Sequence, residues 1–312
     1  MKNKIFSNSD QIVKALGMIS SDITFEKWEP YLPLGTRNVV AIVGRPVVDA
    51  LTDYANGERD EDGGPNLSAA VGYLRQAVAL FTWLKMIPTL GAQHGDAGRA
   101  VRLGENEKGL TALQEFKDEE NILHLAYEAT DALIEELDET QPACWAFSDK
   151  YKLRAGLLIQ SKEDFDRYYT IGSARLFVSL LPILCEVQAA DVAPVLGPKY
   201  LRLVLEGAEV ETTLLRDTAA RALALLTMKK AVERLPVEVL PEGIVQVQQS
   251  QPVKSRLKAE QKAREAVAAS LGEDGARYLT QLAAAVAELE ADGASTDTYT
   301  PGPIVHSKGM TF

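Results

Sequence analysis

The chain has 312 residues, 46% of them hydrophobic and 25% charged, with a net charge of −11. That length can bury sizeable cores and fits about two domains, in an ordinary globular composition. The acidic balance argues against wrapping nucleic acid, because phosphate binding needs a basic surface, and no sequence-specific nucleic-acid partner is expected.

The N-terminus, MKNKIFSNSDQIVK, has no apolar stretch of the length a signal peptide needs. No uninterrupted run of about 18 apolar residues follows it, so no transmembrane helix and no membrane partner are expected. Residues 8–16 open on Asn8 with Gln11 three residues on, the pattern of a capping box at a helix start. A helix over 21–34 is expected next, broken by Pro30, Pro33 and Gly35. Val43-Gly44-Arg45-Pro46 makes a tight turn, and Pro46 suits the first turn of a helix over 46–55. The Gly-rich acidic segment Asn56–Pro65 (NGERDEDGGP) is a solvated loop without the ligand spacing of an EF-hand.

The spacing of Val71, Leu74, Val78, Phe81 and Leu84 predicts a long apolar-faced helix over 67–87, ending at Pro88. Thr89–Leu103, with Gly91, Gly95, Gly98 and Gly104, reads as a loose strand pair. A polar helix over 107–139 closes this half. Thr140–Ala155, with Pro142, Trp145 and Phe147, reads as a packed linker.

The same order then recurs. Ile5, Asp10, Ile12, Val39, Val43 and Gly44 fall on Leu158, Glu163, Phe165, Val192, Leu196 and Gly197 at a constant offset of 153. Ser161 with Asp164 repeats the helix start, 173–190 repeats the second helix with a possible kink at Pro182, and Leu196-Gly197-Pro198 repeats the turn before a helix over 198–206. A helix over 212–235 ends at Pro236, a hairpin turns at Leu240-Pro-Glu-Gly243, and a final helix over 253–290 is expected to break near Gly272–Gly275. The expected class is mostly α: a helical repeat over 1–139, a linker over 140–157, a second repeat over 158–292 and an extended arm over 293–312, with a short β-hairpin in each repeat. Gly44, Gly197, Gly98 and Gly243 are its structural turns.

Motifs for chemistry are absent. The sequence has no Cys-x-x-Cys, no phosphate-binding loop ending in Lys-Ser/Thr, no nucleophile elbow and no His-Glu-x-x-His. His94 lies in QHGD beside Asp96, His124 on a helix and His306 in the tail, and none has the converging partners that a catalytic or metal site requires. No catalytic residue, metal or cofactor is expected. Cys144 and Cys185 fit buried thiols in a reducing compartment.

Charge is more informative. Lys254, Arg256, Lys258, Lys262 and Arg264 face only Glu260, whereas in the first half Glu105, Glu107, Glu115, Asp118, Glu119 and Glu120 outweigh Lys108 and Lys117. Related helices of opposite charge are candidates to meet, within one chain or between copies. In the arm, Pro301 and Pro303 hold the backbone extended, and Ile304, Val305, Met310 and Phe312 offer apolar anchors. The expected interface residues are Lys254, Arg256, Lys258, Ile304, Val305 and Phe312.

Ser161-Lys-Glu-Asp-Phe165, Val195-Leu-Gly-Pro-Lys-Tyr200-Leu201 and Leu235-Pro-Val-Glu-Val239 with Gly243-Ile244 carry a resemblance. The chain resembles the uncharacterised proteins of about this length that Bacteroidetes phages and prophages encode among virion assembly proteins. The resemblance covers most of 155–292, with a degenerate echo in 5–139. It implies a helical protein with a small β element and, by analogy with head–tail connectors, an adaptor that assembles in the host cytoplasm with copies of itself and with portal or tail components. A protein-binding scaffold unrelated to virions is the alternative. An enzyme built around His94 and scattered carboxylates is the other.

Overall fold

The computed structural model describes residues 4–17, 23–57, 65–90, 92–95, 98–101, 111–207, 210–235 and 253–295. These are mostly helical. The first helix, α1 (Ser9–Leu16), begins where the Asn8 side chain accepts from the Gln11 amide and ends at Gly17, whose φ of 68° closes it. The reciprocal capping bond runs from the Ser7 amide to Gln11 Oε1, one residue earlier than the pattern predicts. In the second half, Ser161 accepts from the Asp164 amide and opens α9 (Lys162–Asp166) in the same way.

Two short helices replace the single helix expected over 21–34: α2 (Phe25–Trp28) and the start of α3 (Leu32–Val43). Pro30 separates them. Pro33 falls in the first turn of α3, where a missing N–H costs nothing. Gly35 does not break the helix. It is buried in α3 because a Cβ there would lie 2.8 Å from the Thr82 amide nitrogen and 2.8 Å from the Val78 carbonyl oxygen. Those atoms belong to α5 (Ser68–Leu90), which follows α4 (Arg45–Ala55).

Helix α5 is buried nearly all round. Ala70, Val71, Leu74 and the whole run Ala77–Thr82 are covered, as expected for the central helix of a core. It packs against α1, α3, α4 and α6 (Ala112–Thr140), and it runs through Pro88 rather than stopping there. Strands β1 (Ala92–Gly95) and β2 (Gly98–Val101) pair antiparallel, with Gly95 opposite Gly98. The second strand pair, expected around Gly243, lies outside the described residues, as does the arm after 295.

The linker holds two single turns, α7 (Ala143–Ala146) and α8 (Asp149–Lys152). After α9 come α10 (Ala174–Val187), a π-helical turn at Gln188–Val192, α11 (Ala193–Glu206), α12 (Val210–Arg234) and α13 (Val253–Ser295). Helix α10 continues through Pro182, and the ladder widens only at the π turn. There the buried Gln188 amide donates to the Gly156 carbonyl at 2.6 Å and accepts from the Leu158 amide at 2.8 Å. It thereby satisfies backbone that a strand partner would otherwise have to satisfy. Leu157, Leu158 and Ile159 are pinned into the core by this contact rather than by strand pairing. The break expected near Gly272–Gly275 is absent, and α13 is continuous. A Cβ on Gly275 would lie 2.7 Å from Leu226 Cγ, so this glycine lets α13 approach α12 closely.

Neighbours repeat as well as elements. In the first half α3, α4 and α6 pack on α5; in the second, α10, α11 and α13 pack on α12. Each half has its own apolar cluster, one around Trp28, Leu74, Phe81 and Leu133, the other around Phe165, Leu180, Leu223 and Leu282. Helix α10 is a wall of both, since Ala174 and Val178 belong to the first cluster and Leu176, Phe177 and Leu180 to the second.

Gly44 (φ 97°, ψ 152°) and Gly197 (φ 68°, ψ 165°) adopt the same glycine-only conformation at the same joint, between one helix and the next. A methyl at Gly197 would meet nothing within 4 Å, and one at Gly44 only Pro46 Cδ at 3.9 Å, so conformation rather than space demands glycine. Gly44→Ala and Gly197→Ala are each expected to lose about 1–3 kcal/mol of stability in urea unfolding. A wild-type midpoint for either would mean that its joint relaxes without strain.

The joined run Ala174–Glu206 is long and apolar enough to cross a membrane by length and composition, with a mean hydropathy of 1.7 over its most apolar window. Of that window, 56% is buried inside the fold. The left-handed Gly197 interrupts the run, which is the arrangement of a core element.

Candidate interaction surfaces

One face of α6 carries the contact between the halves. Tyr127, Asp131, Glu135 and Asp138 recur at spacings that place them on one side of a helix. The Arg175 guanidinium lies 3.9 Å from the Tyr127 ring centroid. Asp131 accepts from the Ser173 hydroxyl at 2.9 Å and from the Arg175 amide at 2.6 Å, capping the N-terminus of α10, where the helix dipole favours a carboxylate. Burial pushes the Asp131 carboxyl above its ordinary range, against those same bonds. Glu135 accepts from Lys162 at 2.8 Å, and this bond is the main reason the Lys162 ammonium is held above its usual value.

The last pair is the most enclosed. Arg154 is 7% exposed and donates to both Asp138 oxygens, at 2.9 and 3.1 Å. Asp138 also accepts from Trp145 Nε1 at 2.7 Å. The guanidinium stacks 5.0 Å from the Tyr151 ring centroid, 5.4 Å from Phe177 and 5.6 Å from Trp145. One arginine from the linker thus joins a first-half helix to a second-half core.

A second polar cluster ties α10 and the π turn to α12. Glu186 accepts from Arg234 at 2.5 Å and from Lys230 at 3.2 Å, and Lys230 also reaches Asp191 at 3.2 Å. The bonds from Arg234 and then Lys230 lower the Glu186 carboxyl from 4.5 to about 2. Because the folded value lies below the unfolded one, the stabilisation is complete above about pH 4.5 and is lost as pH falls through about 2. Wild type is expected to lose stability more steeply than Glu186→Gln across that interval. Parallel acid-unfolding curves for the two would count against the cluster. Its exposure keeps the effect small.

The basic stretch 254–264 and the expected interface residues divide. Arg264 is taken by the fold itself: its Nε donates to the Val232 carbonyl at 3.0 Å and its Nη2 to the Leu235 carbonyl at 2.8 Å, closing the end of α12. It is therefore not one of the free surface charges that the sequence implied. Lys254, Arg256 and Lys258 lie on the first turns of α13, with side chains outside the described residues, and Lys262 beyond them is exposed. Ile304, Val305, Phe312, Gly243 and His306 also lie outside them. Gly98 opens β2, and His94 sits in β1 opposite Arg99. His124 is exposed beside Glu128 at 3.3 Å. The acidic stretch of α6 is placed clearly: residues 113–121 are exposed on every side, Leu113 and Phe116 among them, and burial begins at Ile122. This tip projects about 12 Å past its own core. Among the described residues α6 packs on α5 and α10, and α13 on α12 and α11.

A family model described as a family of unknown function, DUF6712, matches residues 36–155 and 182–290. The chain belongs to this family. The two matched stretches of DUF6712 contain the Gly44 and Gly197 joints, each followed by a helix, the central helix and all or most of the long final helix, which is consistent with tandem units. No curated protein and no solved structure matches the chain. The residues that tie α6 to the linker and to α10, Asp131, Asp138, Arg154 and Arg175, are not marked by any local sequence pattern. Arg154 near Trp145 and Tyr151 is the one exception, since arginine and aromatic residues together in a linker suit stacking.

Proposed function

We propose that this chain is a non-enzymatic structural protein of a virion, a head–tail connector or adaptor that assembles in the host cytoplasm through contacts with its own copies and with portal or tail components. The observation that carries the reading is the α6 tip, where Leu113 and Phe116 stand exposed amid charge ahead of the buried part of the helix. Neighbouring apolar residues rimmed by charge are a surface that an assembling protein can use. The virion resemblance of the sequence supplies the setting. In this reading both halves carry a hairpin, and the arm over 293–312 extends to a neighbour through Ile304, Val305 and Phe312. Purified particles from a host carrying the gene should contain the chain in a fixed ratio to their portal, by quantitative mass spectrometry. Complete, infectious particles without it would overturn the reading. A scaffold outside any virion is favoured instead if the matched Gly44 and Gly197 frames each bind one copy of the same cellular protein.

A further inference from the structure

The two final helices end in tips of opposite character. On α6 the exposed pair Leu113 and Phe116 is accompanied by Glu115, Asp118, Glu119 and Glu120, against Lys117 alone. On α13 the sequence places Lys254, Lys258 and Lys262 at every fourth position, with Arg256 between them, beside Val253 and Leu257 four residues apart. That spacing puts each set along one side of a helix. The α6 tip is apolar with an acidic border, and the sequence at the start of α13 interleaves apolar and basic positions. Within one chain, among the described residues, α6 packs mainly on α5 and α10, and α13 on α12 and α11.

We infer that the α6 tip is the docking site for the α13 tip of a second copy of this chain. The contact deepens the assembly reading and rests on its claim that the chain self-associates. It joins unlike surfaces, so it propagates head to tail, closing into a ring if the rotation between copies permits and forming a filament if it does not. Opposed charges set the pairing and reject like tips, while the apolar pairs hold it. A single tip is small, so each contact is weak and closure multiplies it.

The test is a charge exchange. One variant carries Glu115→Lys, Asp118→Lys and Glu119→Lys; the other carries Lys254→Glu, Lys258→Glu and Lys262→Glu. The α6 positions are exposed, and circular dichroism verifies that both variants remain folded. In sedimentation at low salt the wild type should associate, and each variant alone should associate at least about 100-fold more weakly, because all its tips then share one sign. An equimolar mixture should recover wild-type association, since every acidic tip again finds a basic one. Self-association should weaken as salt rises. A monomeric wild type, unchanged association of either variant, or a mixture without recovery would each overturn the pairing. None of these decides whether particles contain the chain, which their composition decides separately.

Discussion

Gly35→Ala is expected to destabilise the first half by about 3 kcal/mol or more, the upper end for overpacking a core. The new methyl would collide with the Thr82 hydroxyl and would sit 2.8 Å from both the Thr82 amide nitrogen and the Val78 carbonyl oxygen. A side chain can rotate away, but two backbone atoms of the central helix cannot. The added propensity of alanine over glycine in a helix recovers only about 1 kcal/mol. Removing the hydroxyl with Thr82→Ala should therefore rescue Gly35→Ala only in part, because the backbone contacts remain. Gly35→Leu should prevent α3 from seating at all. Urea midpoints measure the first two variants, and loss of folded protein measures the third. A Gly35→Ala midpoint within error of wild type would show that α3 slides off α5 at little cost.

Arg154→Met is the second large expectation. Removing one partner of an enclosed ion pair costs about 3–5 kcal/mol, because the other charge is left without compensation. Here Asp138 keeps its bond to Trp145, and 32% of its side chain is exposed, so the lower end is expected. Methionine preserves much of the volume stacked against Tyr151 and Phe177, which isolates charge from packing. Asp138→Asn should cost more, because it leaves the Arg154 guanidinium, with 8% of its side chain exposed, without a compensating charge. The double variant should be more stable than the sum of its parts predicts, by about 0.5–3 kcal/mol. Strict additivity would mean that the two side chains are neighbours without coupling.

The legible part of this fold was the part written locally. Asn8 and Ser161 announce helix starts because a cap acts over three residues, and the central helices are read from apolar periodicity within one element. Gly35 and Gly275 read as breaks in the sequence because glycine serves both to end a helix and to permit a close neighbour. The difference lies in Thr82 and Val78, or in Leu226, which are remote in sequence. Opposite charge between the final helices was visible, yet Arg264 could not be separated from the surface lysines around it until the end of α12 was in place. The seam was illegible for a related reason: Asp131 and Arg154 are ordinary charges until α10 arrives beside them.

That late arrival has a consequence for synthesis. A chain emerging from the ribosome completes α6 while α10, the wall that both cores share, is still unmade. Ala174 and Val178 are missing from the first core, and Asp131 has neither the hydroxyl nor the amide that it later caps. At roughly 5–20 residues per second, the interval from the end of α6 to the end of α10 lasts on the order of several seconds. For that time the first half is an open shell with an apolar gap. Duplication would ordinarily provide two bodies able to fold one after the other. By placing one helix in both, this chain makes its earlier half wait for its later one.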